Sequence, residues 1–108
     1  MGTKFRALYQ RAKGRDLYDL WMAITQLGVD CEKILEVFSY YNEQHNIKIS
    51  RAEYEKNLLA KESSQEFLTD ARHVLPASMP WEPNEAFQVV TDKLVKHLPG
   101  EPWKGLDN

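Results

Sequence analysis

Apolar positions recur along this chain at helical spacing, with no sustained alternation of the kind a half-buried strand needs. Phe5, Leu8, Tyr9 and Ala12 fall at i, i+3, i+4 and i+7, one face of a helix that Gly14 allows to break. Leu17, Leu20, Trp21, Ile24 and Leu27 resume the pattern at once, with Asp16 placed to cap the new helix and Gly28 to end it. The chain must therefore turn sharply at Gly14-Arg15. Asp30 opens a third segment, striped by Ile34, Leu35, Phe38 and Tyr41 and running to Asn46.

The fourth start is the most fully specified. Ser50 and Glu53 stand in the spacing of a capping box, in which each side chain satisfies the other's backbone N–H, and Ile49 and Tyr54 supply a hydrophobic staple. A second box, Ser63 with Glu66, precedes Phe67, Leu68, Ala71 and Leu75, so the stretch from 50 to 75 reads as two helices or one broken near Ser63. Prolines at 76, 80 and 83 mark a loop, and Pro83 suits the first turn of a last helix. That helix presents Phe87, Val90, Leu94 and Leu98 and stops at Pro99-Gly100. The pattern predicts an all-α fold: five or six helices in a compact bundle, a Pro-rich loop before the last long helix, and a tail packed by Trp103.

The chain has 108 residues, 43% of them apolar and 11% aromatic, enough for a single helical domain over 1–108 and too much apolar content for a disordered chain. Its formal charge of −2 is an average over two unlike pieces. Residues 1–15 carry Lys4, Arg6, Arg11, Lys13 and Arg15 with no acid, a charge of +5; the other nine bases and all sixteen acids leave −7 for the remainder. An anion site is therefore expected at the N-terminal end. There is no apolar stretch of signal-peptide or membrane-spanning length, which makes the cytoplasm the expected location and excludes a membrane partner. Cys31 is the sole cysteine, and Ile34, Leu35 and Phe38 at helical spacing mark it as a buried small hydrophobe. The opening Met-Gly-Thr-Lys-Phe runs straight into a helical pattern, which suggests descent from a longer parent.

Familiar catalytic patterns are missing. His45, His73 and His97 lie far apart, so no metal site is expected, and there is no Gly-rich phosphate loop, nucleophile elbow or Cys-His pairing. Trp81, Trp103 and Phe87 read as packing anchors rather than base-stacking platforms. One segment stands apart, where a basic helix abuts Asp16 and Asp19. At helical spacing these two carboxylates sit about 60° apart, at the rim of the apolar stripe. Lys4, Arg11 and Arg15 can meet a phosphate, lysine as a point charge and arginine as a fork. A helix cap, a favourable helix dipole and a surface ion pair would also account for Asp16, Asp19 and Arg15 without any ligand.

The run Lys4…Arg11…Gly14-Arg15-Asp16-Leu17-Tyr18-Asp19-Leu20 resembles the late signature of the AbiEii/AbiGii nucleotidyltransferase toxins of type IV toxin-antitoxin systems. A looser similarity continues through Ser50 to Leu59, Pro83 to Phe87 and Leu98 to Trp103. The resemblance implies a polymerase-β type of chemistry, with transfer of a nucleotidyl group from a Mg²⁺-bound nucleoside triphosphate, in some relatives to transfer RNA. It also implies that Lys4 touches the triphosphate and that Arg15 orients one of the aspartates or contacts phosphate. Asp16 or Asp19 would be the catalytic carboxylate completing the site. Such enzymes carry an earlier Gly-Ser turn and an Asp-x-Asp pair, and neither occurs here. Nucleotidyl transfer needs carboxylate-held metal, so the chain is not expected to be active or to hold a cofactor alone. The expectation is the C-terminal helical region of such an enzyme, partnered by a cognate N-terminal module or antitoxin. The alternative is a non-enzymatic helical module that forms a homodimer or binds another protein.

Overall fold

The computed structural model describes residues 2–73 and 81–104, and six α-helices and one 3-10 turn, with no strand, make up its regular structure among the described residues. The helices are α1 (Gly2–Gln10), α2 (Gly14–Thr25), α3 (Cys31–Gln44), α4 (Arg51–Glu62), α5 (Gln65–Arg72) and α6 (Pro83–Lys93). The all-α expectation holds. Each helix buries one face in a shared core: Phe5 and Leu8 from α1, Leu17 and Leu20 from α2, Ile34 and Phe38 from α3, Tyr54 and Leu58 from α4. Phe67 from α5 and Phe87 and Val90 from α6 complete it, their two rings 5.7 Å apart.

Helix starts follow their capping residues closely. Asp30 accepts from the Glu32 N–H at 2.9 Å, and Ser50 and Glu53 form the reciprocal box ahead of α4, flanked by buried Ile49 and Tyr54. Pro83 occupies the first turn of α6. The break before α5 also falls as expected, but Ser64, not Ser63, accepts from the Phe67 N–H, while Ser63 closes α4. Leu75 and prolines 76 and 80 lie outside the described residues.

Other boundaries differ from the sequence pattern. The first break spans Arg11–Lys13, which leaves Ala12 exposed outside α1, and Gly14 is the first residue of α2. Leu27 lies beyond the end of α2 and is 69% exposed; the Val29 N–H instead folds back to the Ala23 carbonyl across Gly28, whose φ of 64° suits glycine. Leu94 ends α6, and Leu98 reaches the core through the 3-10 turn Val95–His97 rather than a continued helix. Cys31 is only half-buried at the start of α3; its partial burial holds the thiol above its usual pKa. The tail packs as expected, with the Trp103 N–H donating to Glu55 at 2.6 Å and Lys56 over the Trp103 ring.

Arg15, Asp16 and Asp19 all stand on α2, so whatever fixes its start also places them. Its N-terminal N–H at Gly14 donates to the Asp70 carboxylate of α5 at 2.6 Å, so a residue 56 positions away supplies the cap that its own N-cap residue, Lys13, does not. Gly14 is needed for space. A Cβ there would stand 2.3 Å from Ala71 Cα and 2.5 Å from Ala71 N, so only glycine lets α2 and α5 approach this closely.

Candidate functional site

Asp16 occupies the third helical position of α2, so it is not the cap its sequence position suggested. Its side chain is completely buried and accepts three hydrogen bonds: from Arg11 Nε at 2.7 Å, Arg11 Nη2 at 2.9 Å and Lys4 Nζ at 3.2 Å. Burial by itself would raise this carboxyl, but the hydrogen bonds and charges of Arg11 and Lys4 outweigh it and hold Asp16 below the usual aspartate range. The group is a buried anion neutralised on two sides.

Lys4, in the first turn of α1, bridges the two aspartates. Its Nζ lies 3.2 Å from Asp16 and 2.9 Å from Asp19, and the hydrogen bond to Asp19, followed by the weaker one to Asp16, raises its pKa despite partial burial. Asp19 sits at the rim with 20% of its side chain exposed, and Arg15, 71% exposed, approaches it at 3.6 Å. The structure thus brings all five singled-out residues into one network, Lys4, Arg11, Arg15, Asp16 and Asp19. Four of them, Lys4, Arg11, Arg15 and Asp19, reach solvent, and only Asp16 is sealed. The expectation that both aspartates reach the rim is met by Asp19 and corrected for Asp16, because Arg11 folds back over it from the turn after α1.

Two structural partners have no local signal in the sequence. Asp70 fixes the start of α2, and Asn57 of α4 donates to the Tyr9 carbonyl at 2.9 Å, tying down the end of α1 just before Arg11. Tyr54 does the same for the front of α1, its hydroxyl donating to the Phe5 carbonyl at 2.5 Å. Behind the site Tyr18, Trp21 and Trp81 pack with ring centroids 5.2 to 6.0 Å apart, and Trp81 Nε1 donates to the Ala71 carbonyl at 3.2 Å. Trp81 and buried Phe87 are packing residues, as expected.

The donor set decides what this wall can take. Three cations face two carboxylates, which leaves one positive charge in excess and suits an anion. It does not fit a magnesium ion by itself: Asp16 is sealed and already saturated with donors, while Asp19 is flanked by Lys4 and Arg15. Among the described residues, no three or more His, Cys, Asp or Glu side chains cluster as metal ligands elsewhere.

A small all-α protein with a charged network built around an Arg-Asp-Leu-Tyr-Asp segment is the class this geometry defines. Residues 1–91 match the family described as nucleotidyl transferase AbiEii toxin, type IV TA system, and the chain belongs to that family. A toxin of a toxin-antitoxin system implies an antitoxin counterpart. Neither the curated proteins nor the solved structures yield a match. No described helix is long and apolar enough to cross a membrane.

Proposed function

We propose that this chain is the C-terminal helical domain of an AbiEii-type nucleotidyltransferase acting in the cytoplasm, and that its Lys4, Arg11, Arg15, Asp16 and Asp19 form one wall of the nucleotide site. The reading rests on Lys4, whose ammonium lies within hydrogen-bonding reach of both aspartates of the family-like segment. The 108 residues contain no Asp-x-Asp pair, so the carboxylates that hold Mg²⁺ and the turn that cradles the triphosphate come from another segment or polypeptide. Transfer RNA remains the family-type acceptor in this reading.

The roles divide by exposure. Lys4 and Arg15 contact phosphate oxygens, one as a compact ammonium and the other as a guanidinium free to swing from Asp19. Asp19 is the accessible carboxylate and the better choice for the acid that completes the site. Asp16 is a positioning residue, since its carboxylate holds Arg11 and Lys4 in place and is itself closed to substrate. The test is a titration of the 108-residue chain with a nucleoside triphosphate and Mg²⁺, followed by NMR at Lys4, Arg15 and Asp19. Perturbation there that is lost in Lys4→Ala supports the site, and unchanged resonances at all three overturn it.

One observation favours a second reading, a homodimerising helical module. Val37 and Tyr40 of α3, three residues apart, are 43% and 64% exposed, an apolar ridge that a second copy would cover. Light scattering at micromolar concentration separates the readings, because a clean monomer removes the dimer.

A further inference from the structure

No local residue ends α1 where it ends. Arg11, Ala12 and Lys13, which form the break between α1 and α2, are all good helix formers, and the residue suited to close a helix, Gly14, comes only afterwards as part of α2. Yet Lys13 takes extended geometry, with φ of −114° and ψ of 117°. Had α1 run on to Gly14, its next two backbone bonds would join the Lys13 N–H to the Tyr9 carbonyl and the Gly14 N–H to the Gln10 carbonyl. Side chains of two other helices take one partner from each. Asn57 Nδ2 of α4 donates to the Tyr9 carbonyl at 2.9 Å, and the Asp70 carboxylate of α5 accepts from the Gly14 N–H at 2.6 Å. Lys61 settles which way round Asn57 stands: an ammonium only donates and a carbonyl only accepts, so Oδ1 turns to Lys61 and Nδ2 to Tyr9.

The break falls where the charged network needs it. With Lys13 extended and Gly14 already helical, Asp16 is the third residue of α2, and Arg11 is free of α1 to fold back on it through Nε and Nη2. A break at Gly14-Arg15 would instead put Arg11 on the helix and Asp16 at the cap of α2, where its carboxylate turns to backbone N–H groups. We propose that Asn57 and Asp70 are positioning residues of the charged wall: by taking the Tyr9 carbonyl and the Gly14 N–H they set the break at Arg11–Lys13 rather than at Gly14, and so place Arg11 over Asp16 with Lys4 on its other side. The buried faces of α1 and α2 make the chain turn, and these two side chains choose the residue at which it turns. The inference rests on the nucleotide-site reading only for what the placed wall binds.

The test is made by NMR on the ligand-free 108-residue chain, so its outcome is separate from that of the nucleotide titration. Asn57→Asp removes the donor to Tyr9 while keeping an acceptor for Lys61, and Asp70→Ala removes the acceptor at exposed Asp70. In the double variant the Cα chemical shifts of Ala12 and Lys13 move to helical values and that of Gly14 leaves them. The Arg11 Nε–H exchanges with solvent about tenfold faster, the worth of one hydrogen bond to a charged group. Asp70→Ala alone loses only a cap, keeps the fold and already shows part of both changes, which holds the proposal to account even where the double variant fails to fold. Asp70→Asn, which still offers Gly14 an acceptor, behaves as the unaltered chain. A folded Asp70→Ala or double variant that loses stability but keeps Lys13 extended and the Arg11 Nε–H slow overturns the proposal, as does an Asp70→Asn chain that shifts as Asp70→Ala does.

Discussion

Arg11 grips Asp16 through two hydrogen bonds, 2.7 Å from Nε to one carboxylate oxygen and 2.9 Å from Nη2 to the other, while the carboxylate itself is shut off from solvent. A half-exposed arginine thus closes over a wholly buried acid, with Lys4 on the other side. Removing the fork leaves that acid with one partner. We expect Arg11→Ala to lower stability, by less than the loss typical of a fully buried pair because the guanidinium is largely solvated. Urea unfolding checks it, and an unchanged midpoint would show that the pair contributes little.

The same pair gives the fold an acid limit. Asp16 has a folded-state pKa below its unfolded one, so its stabilisation is complete above the unfolded value and is lost as pH falls through the folded value. Lys4 has the reverse sign: its raised pKa adds stability that is full below the ordinary lysine value and fades as pH rises through the raised one. Thermal unfolding followed from pH 7 downward should show a decline below about pH 4 that Asp16→Asn flattens. A decline of the same size in the variant would assign it to other carboxyls.

Gly14 and Asp70 together fix the start of α2, one by leaving room and the other by accepting its N–H. Gly14→Ala should cost about 2 kcal/mol, since the new methyl meets the backbone of α5 rather than a movable side chain. Asp70→Ala should cost about 1 kcal/mol, the usual worth of a helix cap. In the double variant the two losses should fall short of adding, because once α5 has moved the cap is already broken. Denaturant midpoints of the four chains decide this, and strict additivity would mean that the cap and the close approach are separate features.

Lys61 is a buried cation near the end of α4, with Asn57 as its hydrogen-bond partner, and desolvation lowers its pKa. A lowered lysine works against folding while charged, so that stability recovers as pH climbs from its folded value toward the ordinary one. Lys61→Met should be neutral or stabilising at pH 7 and should remove that alkaline recovery. A clear loss of stability in the methionine variant would show that the ammonium makes interactions beyond Asn57.

Much of the fold is legible along the chain because helices announce themselves locally. The Ser50/Glu53 box, Asp30, Pro83 and Gly28 act within a turn of where they stand, and the apolar periods of α2, α3 and α6 pick out most of the buried faces. Gly14 reads as a break until Ala71, on a remote helix, is seen against it, whereas Leu27 merely continues a period that the turn at Gly28 cuts short.

The candidate site divides along the same line. Sequence alone determined its composition: five charged residues between positions 4 and 19, a +5 opening segment set against a −7 remainder, and the family-like order of Arg15, Asp16 and Asp19. Only the packing of α1 on α2 decided that Asp16 goes under Arg11 and Lys4 while Asp19 stays at the rim. Helical periodicity places both aspartates near one edge, but which is sealed depends on where a side chain from the preceding turn lands, and that is a property of contacts rather than of spacing.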